Sequence, residues 1–243
     1  MRFIIFHKTN ARWEAGERPG PDLLARVGAL LGDLEKAEVL QGAEGLRASS
    51  EGVRLTFHAG TRAIVHGPFA GSNELPAGFS ILRTSTLDEA IDWATRQAQM
   101  LGPEEDVEID IRPVTEPWDI GMAPAPAALS TRRYMVLRKA TPATEAGVVP
   151  SPAQRAELSR LIEAATRTGV HISTESMRPS RRGRRLTNFR NGIVMVDGPF
   201  AETKELIAGF IIVSAPSIED ATRWAERYTT AVEAHEVDLR ELD

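Results

Sequence analysis

The 243-residue sequence contains no cysteine. Disulfides, thiolate nucleophiles and cysteine metal ligands are therefore excluded. Histidine is also scarce: His7, His58, His66, His171 and His235 are the only five, none pairs with another at helical metal-binding spacing, and no His-Glu-x-x-His occurs. Gly183 stands among arginines, outside the strand–loop–helix setting of a phosphate loop. No cofactor and no metal are expected. The apolar run in Met1–Lys8 is too short for a signal peptide or a membrane span, which makes a cytoplasmic protein the expectation. Neither charge sign dominates: 29 basic and 34 acidic side chains are mixed along the chain, for a net charge of −5. That balance argues for solubility and against a polyanion-binding surface spread over the whole protein.

What the sequence does have is an internal repeat. Val196-Asp197-Gly198-Pro199-Phe200-Ala201 echoes Val65-His66-Gly67-Pro68-Phe69-Ala70 at an offset of 196 − 65 = 131 positions. Residues 65–97 and 196–228 align without a gap and share 15 identities in 33 positions. Upstream, Arg2 to Lys8 lies over Arg133 to Lys139, and Glu14-Ala15-Gly16 over Glu145-Ala146-Gly147. The register slips by three residues only after position 97, before Glu108–Arg112 meets Glu236–Arg240. Two copies of one domain are expected, 1–114 and 132–243, joined by a Pro/Ala-rich linker over 115–131 that reads as semi-extended.

Each copy reads as the same series of elements. Phe3–Phe6 and Tyr134–Leu137 are short apolar runs suited to buried strands. A helix follows, marked by Leu23, Leu24, Val27, Leu30, Leu31 and Leu34 in one copy. In the other it is marked by Leu158, Leu161, Ile162 and Ala165, behind an N-cap at Ser151 and Pro152. Short strands are expected around 39–44, 53–57 and 62–65, then over 77–82 and its counterpart 208–213. Thr86-Leu87-Asp88-Glu89 has capping-box spacing and Ser217-Ile218-Glu219-Asp220 nearly so, each opening a second helix. A last strand, 107–111 or 237–239, closes the copy. The order β-α-β(ββ)-α-β is the ferredoxin-like pattern with an added hairpin, an α+β fold. Two such sheets packed face to face would cover each other, so the chain is expected to be a monomer holding its own pseudo-dimer.

The run Val196-Asp197-Gly198-Pro199-Phe200-Ala201-Glu202-Thr203-Lys204-Glu205 resembles the signature of the DGPF group within the YCII-related domains. The stretches 44–52 and 107–114 resemble that group too. The resemblance implies a dimeric α+β barrel of ferredoxin-like domains. It also implies a His–Asp pair for which enzymatic activity has been suggested, and one member class acts as a dehydrochlorinase on chlorinated hydroxyquinols. Such proteins are often encoded beside extracytoplasmic-function sigma factors of bacteria, which makes a sigma factor a partner by analogy. This chain departs from the pattern. His66 replaces the signature Asp in the first copy, and the family histidine is Arg47 in one copy and Arg178 in the other.

The candidate site residues follow from these comparisons between copies. Asp197 and His66 are the candidate acid–base groups, Asp197 at the lip of a cleft with Arg178 from a neighbouring strand as its expected partner. Arg178, Arg47, Ser180, Glu205 and Glu74 are the candidate ligand contacts for a small polar or anionic molecule. For Asp197 the alternative reading is a carboxylate that hydrogen-bonds the turn after it. Six arginines between 178 and 190 are expected to form a solvated hairpin tip, with nucleic acid an unfavoured partner. The aromatic residues that recur in both copies read as core. A binding module is favoured over a lyase-like enzyme.

Overall fold

The computed structural model describes residues 1–71, 74–101, 106–200 and 205–243. Glu202, Thr203 and Lys204 of the signature, and Ser72 and Asn73 opposite them in the repeat, lie outside the described residues. The described chain runs β1 (Arg2–Lys8), α1 (Ala11–Glu14), α2 (Pro21–Lys36), β2 (Leu40–Gly45), β3 (Val53–His58), β4 (Thr61–His66), β5 (Pro76–Thr84), α3 (Leu87–Gln99) and β6 (Val107–Pro113). It continues β7 (Arg132–Lys139), α4 (Pro142–Ala146), α5 (Pro152–Arg167), β8 (His171–Ser176), β9 (Arg184–Phe189), β10 (Gly192–Asp197), β11 (Ile207–Ser214), α6 (Ile218–Ala231) and β12 (Glu236–Glu241). The caps form as the sequence reads. Ser151 accepts from Gln154 N–H in a full capping box, Thr86 from Glu89 N–H and Ser217 from Asp220 N–H. The short helices α1 and α4 were not expected.

The strands make two six-stranded antiparallel sheets, ordered β10-β9-β12-β1-β11-β2 and β4-β3-β6-β7-β5-β8. Neither sheet closes on itself, and the α+β arrangement is compatible with ferredoxin-like units. The expectation that each half supplies its own sheet is corrected here. β1 lies between β11 and β12 from the far end of the chain, with Phe3 opposite Val213 and Glu241. Reciprocally, β7 lies between β5 and β6. β2 and β8 are exchanged in the same way, onto β11 and β5. Leu46 then bridges to Val114, and Met177 to Leu242, so the chain crosses from one sheet to the other at two places.

Strand alternation sorts the core into three layers. Phe3 and Ile5 face α2 and α6, with Leu30, Leu34, Ala221 and Ala225. Val136, Leu55 and Ile109 face α3 and α5. Ile4, Phe6, Phe79, Ile81, Met135, Leu137, Phe210 and Ile212 fill the space between the sheets. Phe79 and Phe210 meet there with ring centroids 5.0 Å apart. The expected semi-extended linker is corrected as well. Residues 115–122 fold back in turns tied down by Thr115 N–H to the Gly45 carbonyl and by Glu116, which is buried. No helix among the described residues is long and apolar enough to cross a membrane.

Candidate functional site

The two signature loops are buckles. Gly67 and Gly198 pass so close to the backbone of Ser49 and Ser180 that a Cβ would overlap those carbonyl oxygens, which explains why glycine stands there. Ser180 Oγ then accepts from Phe200 N–H at 3.1 Å, and Ser49 Oγ from Phe69 N–H at 3.4 Å. Each serine hydroxyl donates to a glutamate one turn into the short helix: Ser49 to Glu14 at 2.5 Å, and Ser180 to Glu145. The phenylalanines lie under guanidinium groups, Phe69 4.7 Å from Arg54 and Phe200 4.6 Å from Arg185.

Those arginines belong to two buried charge clusters between the sheets. Arg54 pairs with Asp110 at 2.6 Å and with Glu74 at 3.0 Å, and Lys139 contacts the same Glu74 and Asp110. On the other side Asp238 pairs with Lys8 at 2.6 Å and with Arg185 at 2.7 Å. Burial would raise the Asp238 pKa, but Lys8 and Arg185 outweigh it and hold the carboxyl below its ordinary value. Glu74 is thus a structural ion partner, and Glu205, exposed, contributes its charge to Arg185.

Several expected site groupings are corrected by this geometry. Asp197 is 75% exposed and pairs with Arg184, directly opposite on β9, at 2.9 Å; its expected partner Arg178 pairs instead with Asp243 at 2.8 Å. The reason is register: Arg178 precedes the turn into β9, whereas Arg184 shares a cross-strand pair with Asp197. His66, at the matching end of β4, is also exposed. The arginine run is no hairpin tip. Arg181, Arg182, Arg184 and Arg185 bond Glu145 O, Glu241, Glu219 and Asp238 respectively, and Arg190 alone stands in the β9–β10 turn.

The larger of two cavities, about 770 Å³, lies elsewhere. It opens between α2, the helix-facing side of the β1–β11–β2 sheet and the folded linker. Leu23, Val27, Leu31, Ile211, Ile120 and Met122 supply apolar walls. At its floor His7 Nδ1 lies 2.8 Å from Tyr228 Oη. Desolvation, followed by repulsion from Lys8, pushes the His7 imidazole down to about 4, so it is neutral at neutral pH. Burial raises the Tyr228 phenol, which stays protonated. Two arginines on the rim each meet two carboxylates, while Arg18, also in the lining, makes no ion pair among the described residues. Arg133 bonds Glu116 at 2.8 Å and also Glu44, and Arg47 bonds Glu51 and Asp119, both at 2.7 Å. A smaller cavity of about 330 Å³ lies at the corresponding place on the other sheet, with Arg138 where His7 stands and Gln97 where Tyr228 stands.

Of the residues nominated from sequence, Arg47 lines the larger cavity and Arg178 the smaller; Asp197, His66, Ser180, Glu205 and Glu74 line neither. His7 and Tyr228 were missed. Their signal was present as two polar groups in phase with apolar neighbours, His7 with Phe3 and Ile5 and Tyr228 with Ala221 and Ala225. Among the described residues, no three His, Asp or Glu side chains converge as a metal site.

Fold and cavity together define an α+β protein of two facing antiparallel sheets with a mixed polar and apolar cleft on the helix side of one of them. Residues 133–241 match the YCII-related domain. No curated protein matches the chain significantly.

Proposed function

We propose that the chain is a tandem YCII-related protein of the DGPF group whose two sheets form a pseudo-dimeric barrel, and that it binds a small, uncharged, amphipathic molecule in the larger cleft. The repeat at offset 131 and the reciprocal exchange of β1 and β7 support the duplicated reading. The observation that carries the ligand class is the cleft floor. A neutral imidazole and a neutral phenol offer hydrogen bonds, while Arg133 and Arg47 are already neutralised by carboxylates. An anion at Arg133 or Arg47 would have to displace those carboxylates. A neutral hydroxyl or carbonyl compound needs only to meet His7 and Tyr228 and lay its apolar body on Val27, Leu31 and Ile211. Binding is favoured over proton transfer because an imidazole this far below neutral pH is a weak base.

The test is a matched pair of probes. Calorimetric titration of the full chain with 2-naphthol and with 2-naphthoate compares one aromatic body with a neutral and an anionic head. Naphthol should bind and naphthoate should bind more weakly, with Tyr228→Phe reducing the difference. Tighter binding of naphthoate, or naphthol binding that Tyr228→Phe and His7→Phe leave intact, would overturn the reading.

A further inference from the structure

Sheet edges in monomeric proteins are usually guarded by charge, proline, bulges or a covering element. Three of the four edges here are. β2 and β8 run on into the bridges at Leu46 and Met177, and β4 carries Arg62, whose guanidinium reaches across to Thr95 Oγ1 at 2.9 Å. Among the described residues β10 has no proline, bulge or covering element, and its one charge, Asp197, stands at its end. It is the outermost strand of its sheet, and its sequence Gly-Ile-Val-Met-Val-Asp leaves Val194, Met195 and Val196 52%, 46% and 55% exposed. Gly198 N–H donates to the Gly183 carbonyl, and that bond sets the alternation along the ladder: Val196 and Val194 turn their backbone groups to β9. Ile193, Met195 and Asp197 therefore turn theirs outward.

The charges at the two ends of this strand indicate what pairs with it. At one end Arg184 is shared by two carboxylates, Asp197 and Glu219, which leaves an excess negative charge. At the other, Arg190 is exposed and makes no ion pair or hydrogen bond among the described residues. We infer that β10 is an interface for a second copy of this chain, pairing antiparallel about a two-fold axis at Val194. In that register Met195 faces Ile193 of the second copy, their outward backbone groups forming about four hydrogen bonds. Asp197 falls opposite Asn191 of the second copy, beside its Arg190, so the excess charges compensate at both ends. The joined edges make one continuous sheet through two molecules, a closed isologous contact that cannot propagate.

Sedimentation velocity on the full chain should show a species of twice 26.6 kDa in equilibrium with monomer. Met195→Pro removes an outward N–H in each copy while leaving the ladder to β9, and should weaken the dimer roughly tenfold or more. Arg190→Glu, in an exposed turn, should weaken it as well. Adding Asp197→Arg to Arg190→Glu should restore association, which a folding defect would not. Circular dichroism confirms the fold of each variant; if Met195→Pro unfolds, the Arg190 and Asp197 set decides alone. A wild-type chain that stays monomeric up to its solubility limit overturns the inference. So does a dimer indifferent to Arg190→Glu, since its interface would then be elsewhere, including an extended segment seated on another edge.

Discussion

Gly198→Ala tests whether the signature is a structural buckle. An added Cβ would overlap the Ser180 carbonyl oxygen and lie 2.6 Å from that carbonyl carbon and 3.1 Å from Arg181 Cα. These are backbone atoms in a turn closed by Gly183 N–H on the same Ser180 carbonyl at 2.9 Å, so no side chain can rotate away. Relief requires the end of β10 to move. That motion breaks Gly198 N–H to the Gly183 carbonyl at 3.0 Å and Phe200 N–H to Ser180 Oγ at 3.1 Å, and slides Phe200 from beneath Arg185. Two hydrogen bonds at ~1 kcal/mol each, a stack of ~1 kcal/mol and residual overpacking of ~1–3 kcal/mol sum to about 4–6 kcal/mol. For a chain of this size that is a fall in melting temperature of roughly 10–20 °C. Asp197→Asn is the control. Its carboxylate is mostly exposed, and loss of the Arg184 pair should cost less than about 1 kcal/mol. Thermal and urea unfolding followed by circular dichroism measures both. A Gly198→Ala protein within about 1 kcal/mol of wild type would refute the steric argument, as would an Asp197→Asn cost of equal size.

Three further outcomes are expected. Because the His7 pKa falls from 6.5 unfolded to about 4 folded, the unfolded chain binds the extra proton first. This contribution is therefore complete above pH ~6.5 and is lost as pH falls toward 4, up to about 1–3 kcal/mol for a ring that touches the cleft. Urea unfolding at pH 7 and pH 5 should show a smaller difference for His7→Phe than for wild type. Arg133→Met strands Glu44 and Glu116 beside the cleft and should cost about 3 kcal/mol or more, with part of the loss recovered at low pH as the carboxylates protonate. Residues 1–114 expressed alone lack β7 and the facing sheet, leaving Phe79, Ile81 and Val114 uncovered. Sedimentation should find dimers or aggregates, and a clean monomer would contradict the shared inter-sheet core.

Most of the elements were legible because their signals are local. The Ser151–Pro152 helix start, the Thr86 cap and the leucines of α2 each follow from bonding or periodicity within a few residues. The exchange of β1 and β7 was not legible. An apolar strand such as Phe3–Phe6 carries no mark of which equivalent neighbours it will join, since β5–β6 and β11–β12 offer nearly the same faces. The site was misplaced for a related reason. Repetition draws attention to Asp197, Glu205 and Ser180, yet what both copies share is the framework of buckle and buried ion cluster. The cleft depends on differences between the copies: His7 against Arg138, Tyr228 against Gln97, and a linker that walls one cavity. The linker's turn was hidden because Glu116 and Asp119 fold it back onto arginines far away in sequence.

The placement of β1 also sets an order of events during synthesis. β1 is synthesised long before its neighbours β11 and β12, with Phe3 opposite Val213 and Glu241. Nearly the entire chain must emerge before residues 2–8 can reach their final seat. Vectorial folding of the leading half is thereby denied its native end point, and contacts of such long sequence separation form slowly. In the interval Phe3 to Phe6 is an apolar strand without its mates. Completion of β11 and β12 is then the step that seats β1 and joins the two ends of its sheet.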